Sequence, residues 1–154
     1  MIMEFLTHDF VRYPELTNTQ MQTMSLQSPH DQISSDFTAS VVKVHDGDTV
    51  TLSCDFRNFV FPLRLLDIDA PELNEDGGHE SKDWLIGQIL GEVVDIQINP
   101  LKRVGKYGRL LGTIIHKGIN INLASMMLGY SKPFNSRFES KIMPINSYFM
   151  EVTI

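Results

Sequence analysis

The order of the alternating segments between residues 40 and 116 narrows the fold of this chain more than any other feature. Residues 40–44 are valine-rich, and Asp46-Gly47 after them is a turn signal, because glycine accepts a positive φ at a tight reversal. Thr49–Cys54 alternates, with Val50 and Leu52 on one face. Residues 55–58 turn, and 59–68 read as a third strand in which Pro62 points to an edge or a bulge. After a polar loop at 74–78, Trp84, Leu85, Gln88 and Ile89 fall at helical spacing within 80–91, and Gly91 stops that helix. Residues 93–98 and Leu110–His116 alternate again, and a short helix near 121–128 precedes Gly129. Three strands, a helix and two strands is the order of an OB-fold: a mainly β, five-stranded Greek-key barrel with a helix between strands three and four. The fold leaves function open.

The length of 154 residues, with 42% hydrophobic content, allows one core and not two. Residues 14–37 are rich in Ser, Thr, Gln, Asn and Pro without a sustained period, so 1–37 reads as a flexible extension outside the barrel domain, 38–132. Residues 133–154 form a divergent end. The net charge of −6 argues at first against a phosphate-rich partner. The charge is uneven, though: from 96 to 137 there is no acid, while Lys102, Arg103, Lys106, Arg109, Lys117, Lys132 and Arg137 all fall there. Such a stretch builds either a wall that steers a polyanion or a solvated basic face. Cys54 is the single cysteine, which excludes an internal disulfide and a cysteine-rich zinc site. The N-terminus has no secretory pattern, and no apolar run approaches the roughly 20 residues that span a bilayer. The expectation is a soluble monomer in the cytoplasm, with a secreted mature form left open.

Three segments carry chemistry: His45-Asp46-Gly47-Asp48-Thr49-Val50, Arg64-Leu65-Leu66-Asp67-Ile68-Asp69-Ala70-Pro71-Glu72, and Gly105-Lys106-Tyr107-Gly108-Arg109. Taken singly, the first reads as a hairpin turn with solvated acids, the second as a strand exit, and Arg109 as a loop residue. Arg64 is harder to dismiss, because a guanidinium in an apolar strand needs a partner, and Asp48 or Asp69 would serve. Hydrolysis of a phosphodiester builds negative charge on the non-bridging oxygens, which a divalent ion and fixed cations offset. Hard ions take oxygen ligands, and no Cys-His set competes nearby.

In this order the three segments resemble the staphylococcal nuclease family, over about residues 38–132. The resemblance implies a Ca²⁺-dependent nuclease acting on DNA and/or RNA and leaving 3′-phosphate ends. It makes Asp48, Asp69 and the backbone carbonyl of Ala70 the metal ligands, with Asp46 an outer-shell acid. Glu72 becomes the residue that positions or deprotonates the attacking water, Arg64 and Arg109 the phosphate-holding arginines, and Lys106 and Tyr107 the neighbours of a bound nucleotide. Arg64 and Asp69 are five apart, which strict alternation puts on opposite faces, so their convergence, implied by the family, requires a break near Asp67-Ile68. The match fails after Gly129. Tyr130, Phe134 and Phe138 could stack on a base without a positional match, and residues 147–154 alternate like a strand where the family has a helix. Two rivals remain: a non-catalytic nucleic-acid-binding module, and a protein-interaction domain that docks through its N-terminal extension.

Overall fold

The computed structural model describes residues 8–105 and 108–134. A short helix, α1 (Asn18–Met24), precedes β1 (Phe37–Asp46), β2 (Thr49–Cys54) and β3 (Arg57–Leu65). After β4 (Ile68–Asp69) come helix α2 (Gly78–Ile89), β5 (Val93–Gln97), β6 (Leu110–His116), β7 (Ile119–Asn120), helix α3 (Ile121–Met127) and β8 (Lys132–Pro133). Five strands lie in the order β3-β2-β1-β5-β6, and β3 meets β6 in parallel, Leu63 opposite Leu110, so the sheet closes on itself. Helix α2 falls between the third and fourth barrel strands, β3 and β5, as an OB-fold requires.

Alternation fills the barrel. Phe61, Leu63 and Leu65 of β3 are buried with Val50 and Leu52 of β2, Ile96 of β5, and Leu110 and Ile114 of β6. The register of β1 against β2 slips between Val41 and Lys43 and again between Val44 and Asp46. Such bulges bend and twist a strand, which closure of so small a sheet needs. Pro62 stands immediately before the β3–β6 pairing begins at Leu63, a place where a strand tolerates a residue without an N–H.

Two expectations are corrected. The third strand does not run to residue 68: it stops at Leu65, because Asp67 adopts φ 65°, a left-handed conformation no strand continues through. The chain restarts as β4, paired with β8. The polar segment 14–37, expected to be loose and outside the barrel, packs against it, and its last residue, Phe37, already begins β1. Thr17 and Gln20 form a reciprocal cap on α1, and Leu16 and Ile33 are buried. Glu15 is 2% exposed, between Arg57 and Arg103. A count of side chains by polarity cannot register a carboxylate buried by neutralising two guanidiniums. Among the described residues, no helix is long and apolar enough to cross a membrane.

Candidate active site

The β1–β2 turn delivers Asp46 and Asp48. A Cβ on Gly47 would stand 1.9 Å from the Ser81 hydroxyl and 2.7 Å from the Ala70 methyl, so the turn lies against α2 and the exit of β4 where only glycine fits. The Asp46 carboxylate accepts the Asp48 N–H (3.0 Å), and the Asp48 carbonyl accepts the Leu65 N–H (2.8 Å), which ties the turn to β3. Arg64 holds the break after its own strand: Nη1 donates to the carbonyls of Leu65 (2.8 Å) and Ile68 (2.7 Å). Buried Asn122 secures the same turn from α3, its side-chain amide donating to the carbonyls of Leu66 and Gly112 (both 3.1 Å). This turn reverses the pleat, and Arg64 and Asp69 thereby share a side.

Arg64 Nη2 lies 3.3 Å from Asp48 Oδ2 and 3.5 Å from Asp69 Oδ1. The Ala70 N–H donates to Asp48 Oδ2 (2.9 Å) and the Thr49 hydroxyl to Asp48 Oδ1 (3.0 Å). Arg109 Nη1 donates in turn to the Thr49 hydroxyl (3.3 Å), so one hydroxyl links the loop arginine to the turn aspartate. A cavity of about 600 Å³ brings together Asp46, Asp48, Thr49, Arg64, Asp69, Glu72, Arg109 and Phe134. Two strand ends, one loop and one turn therefore converge on one cleft.

Burial pushes the Asp48 carboxyl up to about 6, and its hydrogen bond with Asp46 adds to the rise, against the Ala70 amide and Arg64. Two aspartates, Asp48 and Asp69, face Arg64, and the acids that line the cleft (Asp46, Asp48, Asp67, Asp69 and Glu72) outnumber its bases (Arg64, Lys102 and Arg109), the condition that attracts a cation. Among the described residues, no three His, Cys, Asp or Glu side chains converge as a cage that would hold a metal by themselves. The donors are all oxygen, with Asp48 and Asp69 in front. This set fits a hard ion that draws the rest of its shell from main chain, water and substrate, and does not fit zinc.

Of the residues singled out from the sequence, Asp46, Asp48, Arg64, Asp69, Glu72 and Arg109 line this cleft. Ala70 is buried beside it, with its N–H on Asp48. Lys106, Tyr107 and Phe138 lie outside the described residues. Tyr130 is stacked on Trp84, with ring centroids 5.2 Å apart, so one of its two faces is already taken, and it is not among the residues lining the cleft. Two bases of the expected wall are already engaged by acids: Arg103 is 3% exposed and bound to Glu15, and Lys102 pairs with Asp67 at 2.8 Å; Lys106 and Arg137 lie outside the described residues. Sequence reasoning missed Thr49 and Asn122: Thr49 could have been noticed as the neighbour of Asp48, and Asn122 carries no local signal. Of the three aromatic residues offered for stacking, Phe134 lines the cleft. Phe134 is brought to the cleft by the β4–β8 pairing and by its N–H on the Asp67 carbonyl (3.0 Å), with Arg64 5.5 Å from its ring centroid.

Residues 62–142 match the model of the family described as "Staphylococcal nuclease homologue". An "Uncharacterized endonuclease" of Escherichia coli O157:H7 is 32% identical over 111 residues, 71% of this chain and 69% of that protein. An "Uncharacterized endonuclease" of Haemophilus influenzae is 36% identical over 94 residues, and a "Micrococcal nuclease" of Shigella flexneri 33% over 79; the matches span 49% and 42% of those two proteins. The closed barrel, the turn and strand exit at its mouth, and these matches agree that the chain belongs to the staphylococcal nuclease family.

Proposed function

We propose that this protein is a Ca²⁺-dependent phosphodiesterase that cuts DNA and/or RNA and leaves 3′-phosphate ends. The observation that carries the reading is the convergence of Asp48, Asp69, Glu72, Arg64 and Arg109 on one cleft, acids and guanidiniums together. An anionic ester needs both signs: cations for its oxygens, and acids for the ion and the water. Asp48, Asp69 and the Ala70 carbonyl would hold the ion, with Asp46 behind them. When bound there, Ca²⁺ would offset charge on a phosphate oxygen.

The remaining work falls to side chains. Arg64 is pre-aimed: two carbonyls fix Nη1, so the fork cannot swing away, and Nη2 faces the acids. Arg109 reaches the same cleft from the loop before β6, steadied by Thr49. A phosphate between them gains charge-assisted hydrogen bonds that strengthen as its equatorial oxygens become more negative. Glu72, exposed at the cleft edge, orients a water and accepts its proton, while the 5′-oxygen departs from the other side.

The test is incubation of single-stranded DNA with the protein in Ca²⁺, in Mg²⁺ and in chelator, beside Glu72→Gln, with analysis of the product ends. Cleavage that needs Ca²⁺, leaves 3′-phosphate and drops in Glu72→Gln is expected. Retention of the DNA with no cut in any ion would instead indicate a binding module.

A further inference from the structure

The loop that carries Arg109 is held from outside the barrel. Arg103, in the same loop, donates from Nε to the Ile33 carbonyl (2.7 Å) and from Nη1 to the Leu16 carbonyl (2.9 Å) and the Asn18 side chain (3.0 Å). Its Nη2 meets Glu15 Oε2 at 3.2 Å. Asn18 in return donates to the Pro100 carbonyl (2.9 Å), and Asp36 accepts the Ile98 N–H (2.8 Å). The gripped arm is also the arm bonded to Arg109: the Gly105 N–H donates to the Arg109 carbonyl (2.9 Å), and the Leu111 N–H to the Arg103 carbonyl (2.7 Å). At the tip, Gly108 has φ 75° and lies against the Tyr13 ring, where a Cβ would stand 2.7 Å from Cδ1.

The other oxygen of Glu15 takes Arg57 at 2.5 Å, in the first residue of β3, and the Ile33 N–H closes the set on Oε2 at 2.9 Å. Arg57 lies over Phe59 and Phe61, 4.9 and 4.6 Å from their centroids. One buried carboxylate thus joins the strand that carries Arg64 to the loop that carries Arg109. Without its charge, two buried guanidiniums would face each other uncompensated. The loop would yield first, because β3 is hydrogen-bonded to β2 and to β6.

We infer that Glu15 is a positioning residue. Through Arg57 and Arg103 it sets the distance between the two guanidiniums that grip phosphate, and the N-terminal segment is the brace that holds it. The inference rests on the reading of the cleft as a phosphodiesterase site.

The experiment uses the full chain with Glu15→Gln and Tyr13→Ala. In Glu15→Gln, amide hydrogen exchange should quicken more at Gly105 and Leu111 than in β2 and β5, which report only the general loss of stability. With single-stranded DNA and Ca²⁺, kcat should fall by about 10- to 100-fold, the scale of a distant misplacement of about an ångström. KM should change far less, within about threefold. Tyr13→Ala leaves the buried charges alone and should show the same pattern more weakly. If Glu15→Gln does not fold, Tyr13→Ala decides. Parent-like exchange and turnover in the folded variants, or exchange raised evenly through the barrel, overturns the brace. A parent protein that never cuts counts against the phosphodiesterase reading instead, and the exchange data still judge the contact.

Discussion

Gly78→Ala is a small change with a large expected effect. Gly78 opens α2, and a Cβ there would stand 2.0 Å from the Glu72 carbonyl oxygen, 2.7 Å from its carbon and 2.9 Å from Leu73 Cα. All three are backbone atoms, so no side chain can swing aside. An ordinary carbon–oxygen contact is roughly 3.3 Å, so the Glu72 segment and the helix must part by about 1.3 Å. Overpacking of this kind costs about 1–3 kcal/mol, against up to about 1 kcal/mol gained from alanine's helix propensity. The net is about 1–2 kcal/mol, a fall of a few degrees in Tm, and the protein stays folded at 25 °C. An ångström at Glu72, by contrast, is worth about 100-fold in rate, or roughly 2.7 kcal/mol on the barrier. The catalytic loss therefore exceeds the loss of stability. Gly87→Ala is the control: it is exposed in the same helix with nothing within 4 Å of its Cβ, and should add about 0.5–1 kcal/mol of stability with parent activity. Melting curves and initial rates on single-stranded DNA compare the two. If Gly78→Ala cuts as fast as Gly87→Ala, Glu72 is not held in place by this contact, or does not act on the water.

Arg64→Ala or Arg109→Ala should lower turnover by about 10²–10³-fold, the scale for one preorganised donor, and parent rates in both would remove the arginines from the mechanism. Glu15→Ala should destabilise the fold by about 3–5 kcal/mol in chemical denaturation, because Arg57 and Arg103 stay buried without their partner. In chelator the protein should lose stability as pH rises from about 4 to 6. Asp48 has its folded pKa raised from 3.8 to about 6, so the folded state binds the extra proton across that window; its contribution is full below the lower value and gone above the upper one. Asp48→Asn should flatten that slope, and an unchanged slope in the variant would assign it to another group.

The barrel was legible because period-2 alternation is local: β5 and β6 repeat a buried residue at every second position, β2 buries Val50 and Leu52 on one face, and their bounds follow the pattern closely. The ends of elements were less so. Helix α2 begins at Gly78, two residues before the periodic stretch, on Gly77 at φ 85°. The β3 break depends on a non-glycine residue, Asp67, in a left-handed conformation that its type does not announce.

By itself, the sequence determined the order of strands and helices, the turn at Gly47, and the kinds of side chain offered to a phosphate, because each depends on neighbours a few positions away. Only the tertiary structure decided that Arg64 and Asp69 share a side, that Arg103 belongs to a buried network and not to a basic wall, and that Glu15 reaches partners 42 and 88 residues along the chain. Charge pairing is a relation between distant atoms. A string of residues states which charges exist, and closing the barrel states which of them meet.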